Sequence, residues 1–175
     1  MKRLFMLSLG GTITMQPSAE GGIAPTLDAP ELVASVPALA GVAEIEAESP
    51  MRVASPSLTL ANLVDVARRL DAAVAAGFGG AVVVQGTDTI EESAFLLDLL
   101  VPGDKPVVVT GAMRGADAPG ADGPANLLSA ARVATAPESC GLGTLVVLNY
   151  DIHAARFVQK SHTSLPSAFL SPLIG

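Results

Sequence analysis

Residues 59–89 read TLANLVDVARRLDAAVAAGFGGAVVVQGTDT, and two periodicities meet within them. Leu60, Leu63, Val64, Ala67, Leu70 and Val74 recur at helical spacing, while Asp65, Arg68, Arg69 and Asp71 fill much of the other face. Thr59 to Ala76 is therefore predicted to be an amphipathic helix, closed by Gly77 as a C-cap. The pattern then changes to an unbroken apolar run, Gly80 to Gln85. A run that short, with no polar alternation, is the signature of a strand covered on both faces. It stops on Gly86-Thr87-Asp88-Thr89, and a further helix is predicted from about Thr89 to Leu100.

The same rhythm extends in both directions. Strands are predicted over Arg3 to Leu9, Pro106 to Thr110 and Thr144 to Asn149, with a weaker alternating piece around Val42 to Ala47. A short helical turn is expected around Pro30 to Val36. Another helix is expected to begin at Asp122-Gly123-Pro124, where an acceptor side chain and a proline suit a helix start. Strand and helix thus alternate for most of the chain, which calls for an α/β fold: a mainly parallel sheet with helices on both faces. Such folds bind ligands at the carboxyl ends of their strands. Four segments meet that rule: Gly10-Gly11-Thr12, Gly86-Thr87-Asp88-Thr89, Gly111-Ala112-Met113-Arg114 and Asn149-Tyr150-Asp151.

Composition narrows the function. The chain has 175 residues, half of them apolar, enough to bury one sizeable core without disulfide or metal. Its net charge of -7 and the lack of a basic cluster argue against nucleic acid as a partner. Arg68 and Arg69 read as a solvated face, and the single Cys140 as a thiol in or near the core. The start, Met1-Lys2-Arg3 followed by Leu4-Phe5-Met6-Leu7, is too short an apolar run for a signal peptide and reads as a buried strand. No apolar stretch is long enough to span a bilayer, so no membrane partner is expected and a soluble, cytoplasmic protein is. Residues 166–175, with two prolines and no terminating helix, read as the start of a linker leading onward from a domain of residues 1–165.

The glycine-rich turns do not fit a phosphate cradle. Neither matches the dinucleotide fingerprint, and no lysine follows the glycines as a P-loop requires. What they share is a hydroxyl directly after glycine at a strand end, with Asp88 adding a carboxylate. A threonine hydroxyl is a poor nucleophile until a base takes its proton. A neutral lysine can serve, because burial lowers its pKa whereas a neighbouring aspartate holds the charged form. Lys160 is the natural candidate, since it follows the last predicted strand on the carboxyl edge, whereas Lys2 lies at the opposite end. His153 and His162 stand without metal-ligand company and read as structural or loop residues. Glu91 and Glu92 are explained by the dipole at a helix start.

Four runs carry a resemblance: Leu9-Gly10-Gly11-Thr12-Ile13; Gln85-Gly86-Thr87-Asp88-Thr89-Ile90-Glu91-Glu92-Ser93; Gly111-Ala112-Met113-Arg114; and Ala121-Asp122-Gly123-Pro124-Ala125-Asn126-Leu127. In order and spacing the chain resembles the amino-terminal domain of the L-asparaginase family of bacterial and archaeal type. That resemblance implies a flavodoxin-like domain hydrolysing the side-chain amide of asparagine, and in some members glutamine, without metal or organic cofactor. It implies Thr12 as the primary nucleophile, with Thr87, Asp88 and Lys160 as a second catalytic cluster. Ser55 matches the serine that holds the substrate α-carboxylate, and Asp88 the group receiving its ammonium. Gly11, Gly86 and Ala112 fall at substrate-binding positions, with backbone donors near Thr12 and Ala112 expected to stabilise an oxyanion. A carboxyl-terminal domain and a homodimer or tetramer are implied for the full-length protein. The loop from Gln16 to Leu27 lacks the tyrosine that several members place there, and Pro56-Ser57 replace the Gln or Asp that often follows the serine. Two alternatives stay open: an ammonia-releasing subunit of a transfer-RNA-dependent amidotransferase, and a non-catalytic small-molecule-binding domain.

Overall fold

The computed structural model describes residues 2–17 and 23–172. Along the chain run β1 (Arg3–Ser8), the short antiparallel pair β2 (Met15–Pro17) and β3 (Ile23–Pro25), α1 (Ala29–Ala34) and β4 (Glu44–Glu48). They are followed by α2 (Leu60–Ala75), β5 (Gly80–Val84), α3 (Ile90–Leu100), β6 (Val107–Thr110), α4 (Gly123–Thr135) and β7 (Thr144–Leu148). The last elements are β8 (Asp151–Ala154), β9 (Gln159–Lys160) and β10 (Phe169–Leu170). Of the stretches read above, Met1, residues 18–22 of the loop from Gln16 to Leu27, and residues 173–175 of the expected linker lie outside the described residues.

The central sheet has the order β4-β1-β5-β6-β7-β8. Its first five strands are parallel, as the unbroken apolar runs require, and β8 returns antiparallel to β7. Every residue of β5, β6 and β7 is buried, whereas the edge strand β4 is half-buried, which is why its run Glu44-Ile45-Glu46-Ala47-Glu48 alternates. Successive side chains of a strand face opposite sides. Phe5, Leu7, Val83, Val109 and Val146 accordingly enter one core with α2 and α3. Leu4, Met6, Val82, Val84 and Val108 enter a second core with α1 and α4. Gly80 opens β5 where a Cβ would stand 2.1 Å from the Ala134 carbonyl, so α4 rides directly on the backbone of the sheet.

Helix α2 turns its stripe slightly from the predicted one. Leu63, Val66, Ala67, Leu70 and Ala73 are buried, while Leu60 is 73% exposed. The reason is the cap: Thr59 and Asn62 form a reciprocal capping box that leaves the first helical residue outside the core. Cys140 is exposed rather than near the core, because it stands in the turn between Ser139 and Gly141 that links α4 to β7. Asn149-Tyr150-Asp151 is a tight hairpin turn and not a ligand loop. Asn149 (φ 51°) and Tyr150 (φ 64°) both take left-handed conformations, the geometry that folds β8 back on β7. The end of the chain also folds back, with β10 pairing β9 and Ala168 and Phe169 entering the first core.

Between β1 and β5 the chain reverses its direction of travel across the sheet, because β1 is followed in the sheet by β4 on one side and β5 on the other. That reversal opens a crevice at the carboxyl edge between the ends of these two strands. Both Gly-Thr turns lie there.

Candidate active site

The turn after β1 passes through Gly10 (φ 109°) and Gly11 (φ 93°) before a 3-10 turn, Thr12–Thr14. A Cβ on Gly11 would lie 2.3 Å from the backbone nitrogen of Gly86, so the two turns meet backbone to backbone and bring Thr12 beside Thr87. Thr14 closes the first turn, its hydroxyl donating to the Gly11 carbonyl at 2.8 Å. Thr87 begins the corresponding turn after β5, Thr87–Thr89, and is nearly buried.

A third loop locks onto the second. The Asp88 backbone N–H donates to the Ser55 hydroxyl at 3.2 Å, and the Thr89 hydroxyl donates to the Ser55 carbonyl at 3.1 Å. Below them Gln85, fully buried, places its amide near the Thr89 hydroxyl at 3.5 Å. The Val53 N–H donates to the Leu9 carbonyl at 2.9 Å, tying the same loop to the end of β1.

Lys160 arrives from β9. Its ammonium donates to the Thr87 hydroxyl at 3.0 Å and to Asp88 Oδ1 at 2.6 Å. The lysine side chain is only 11% exposed, against 64% for Asp88, so the pair is dry on the lysine side and wet on the carboxylate side. Such a chain of hydroxyl, ammonium and carboxylate can pass a proton without a metal. Among the described residues no three of His, Cys, Asp and Glu gather as a metal set would need.

These groups border a cavity of about 170 Å³ lined by Gly11, Thr12, Ser55, Gly86, Thr87 and Asp88. A larger space of about 240 Å³ lies against Ile13, Leu27 and Leu32, with Ser35, Arg114 and Asp117 also on its wall, but the hydroxyls of Thr12, Ser55 and Thr87 and the carboxylate of Asp88 line the smaller one. Seven of the eight residues picked out from sequence are thereby brought together. Ala112 is the exception: its methyl is buried in the second core, and Met113 forms the cavity wall in its place.

Asp122 is responsible for that arrangement. It makes no cap for α4. Its carboxylate instead accepts from the backbone N–H groups of Met113, at 3.0 Å, and Arg114, at 2.9 Å, so those two donors are taken. Asn126 completes the clamp by donating to the Gly111 carbonyl and to Asp122, both at 3.0 Å. Pro56, noted above beside Ser55, also lines the cavity, as do Met15, Ala54 and Thr163, which were not singled out in the sequence. Of these only Thr163 carried a signal, a hydroxyl three residues beyond Lys160. His153 is buried with Nδ1 2.8 Å from the Ser171 hydroxyl, and His162 accepts from the backbone of Ser164 and Leu165, so neither reaches the cavity.

A doubly wound sheet with a threonine-lysine-aspartate cluster at its switch point defines an α/β domain equipped for proton transfer. The family model described as "Asparaginase, N-terminal" matches residues 3–175. The chain belongs to the asparaginase family, and what it matches there is the amino-terminal part. It is 42% identical over 170 residues to a probable L-asparaginase of Deinococcus radiodurans, covering 97% of this chain and 51% of that protein. It is 39% identical to L-asparaginase 2 of Bacillus subtilis, covering 97% and 47%. The crystal structure of a probable cytoplasmic L-asparaginase from Campylobacter jejuni superposes with a TM-score of 0.91 at 34% identity, over 98% of this chain and 52% of that one. The chain thus spans about half the length of the relatives it matches. No described helix is long and apolar enough to cross a membrane.

Proposed function

We propose that this protein hydrolyses the side-chain amide of L-asparagine to aspartate and ammonia through a threonine nucleophile. The observation that carries the reading is the bonding of Lys160 Nζ to both Thr87 and Asp88 at the edge of a cavity that Thr12 lines. In this reading the Thr12 hydroxyl attacks the amide carbon. The Thr87-Lys160-Asp88 cluster relays the proton that leaves with the amide nitrogen as ammonia, and water then cleaves the resulting ester to release aspartate and restore the hydroxyl. Ser55 accepts from the Asp88 N–H, which leaves its own O–H to donate to the substrate α-carboxylate. The exposed carboxylate of Asp88 receives the α-ammonium. Gly11 and Gly86 keep the walls low enough for the substrate backbone, and the backbone N–H groups around Thr12 supply the oxyanion donors. No metal or organic cofactor takes part.

Glutamine is the proposed second substrate, in line with a 36% identical relative from Pseudomonas fluorescens named glutaminase-asparaginase. The full protein is proposed to work as a homodimer or tetramer in the cytoplasm, the compartment given for the Campylobacter neighbour.

A second reading makes Thr87 the first nucleophile, because the hydroxyl bonded to the lysine is Thr87 and not Thr12. Ammonia release from asparagine and glutamine by the full protein, with Thr12→Ala and Thr87→Ala beside it, is the test. Turnover of asparagine is expected, with a loss of at least about a thousandfold in kcat for Thr12→Ala. Turnover surviving Thr12→Ala would remove it as the nucleophile. Binding without turnover would favour a non-catalytic domain, and ammonia release that needs a partner protein would favour an amidotransferase subunit.

A further inference from the structure

Strand β9 is two residues long and pairs only with β10, outside the six-stranded sheet. The lysine it carries nevertheless reaches Thr87 and Asp88 with hydrogen-bond geometry at both. The ion pair alone is a weak tether, since Asp88 is mostly exposed and solvent screens it. The second attachment is at the other end of the same residue. The backbone N–H of Lys160 donates to Glu91 Oε2 at 2.5 Å in a part-buried setting. Antiparallel pairing explains why this N–H is available: alternate backbone groups face the partner strand, and it is the Ser161 N–H that donates to the Ala168 carbonyl. Glu91 stands three residues after Asp88, in the first turn of α3. One helix start therefore grips the lysine at the backbone through Glu91 and at the ammonium through Asp88.

We propose that Glu91 is a positioning residue that fixes the backbone of Lys160, so that its ammonium meets Thr87 and Asp88 without a search through side-chain conformers. The inference builds on the hydrolase reading of the site but is tested separately from it. A favourable interaction with the dipole of α3 depends on the charge of Glu91, whereas holding the Lys160 N–H depends on an acceptor oxygen. Glu91→Gln keeps the acceptor and loses the charge; Glu91→Ala loses both.

Amide hydrogen exchange of the full protein reads the bond directly. Glu91→Ala is expected to speed exchange at the Lys160 amide by at least about tenfold while amides in the middle of α2 stay protected, and Glu91→Gln to retain most of the protection. In turnover of asparagine, Glu91→Ala is expected to lower kcat by about 10- to 100-fold with KM within about threefold, and Glu91→Gln to stay close to the parent. Unchanged exchange at Lys160 in Glu91→Ala, or equal losses in the two variants, would overturn the proposal. So would lost protection with unchanged kcat. If Glu91→Ala does not fold, Glu91→Gln decides alone, since exchange at Lys160 as fast as in the neighbouring exposed turn contradicts the proposed bond. If the parent releases no ammonia, the hydrolase reading fails and the exchange result still decides whether Glu91 holds the lysine.

Discussion

Lys160 and His153 show how burial alters ordinary residue types. Read from sequence, Lys160 is a candidate on its position and on the family resemblance, and only the folded chain supplies its two partners at 3.0 and 2.6 Å. Thr12, Thr87 and Asp88 were legible because they sit within short runs at predicted strand ends. Glu91 was not: its partner lies 69 residues away, and a local explanation, the helix dipole, was already sufficient. Asp122 was read as a cap for the same reason, because local spacing cannot show that its carboxylate reaches back to Met113 and Arg114. At His153, burial lowers the ring's pKa below its usual value, with Asp151 opposing, and among the described residues Nε2 has no partner. The fold therefore prefers the neutral ring. Its contribution is fully present above the unfolded pKa of about 6.5 and is lost as pH falls from there towards the folded value. Urea unfolding at a series of pH values is expected to show this acid loss in the parent and a smaller one in His153→Asn, which keeps an amide facing Ser171.

At the scale of elements, the parallel strands were the most legible part, because residues covered on both faces leave continuous apolar runs in sequence. Strand β8 left none, its four residues being held by register with β7 and by the tight turn at Asn149 and Tyr150. β9 and β10, two residues each, are shorter than any periodicity. Loops of the site are held by side chains of helices, and Asn126 is the clearest case. It is buried, donates to the Gly111 carbonyl and to Asp122, and accepts from the Asn149 N–H at 2.9 Å. Asn126→Leu preserves the volume but strands a buried carbonyl and a backbone N–H. Chemical denaturation is expected to show a loss of about 2–4 kcal/mol. A loss below about 0.5 kcal/mol would mean that water replaces the clamp.

For the whole molecule, the order of the strands places the chemistry. The reversal between β1 and β5 is the one place on the parallel sheet where two strand ends diverge, and Gly11 against Gly86 closes the crevice to a cavity of amino-acid dimensions. The strand-end rule of the fold indicated four segments, and the hydroxyls following glycine narrowed them to these two. The hydroxyl that bears the acyl group identifies the nucleophile. Acid quench of the full protein during turnover of asparagine, followed by proteolysis and mass spectrometry, reads it directly. A β-aspartyl ester is expected on the peptide containing Thr12, absent in Thr12→Ala. The ester on the peptide containing Thr87, or turnover with no acylated threonine at all, would contradict it.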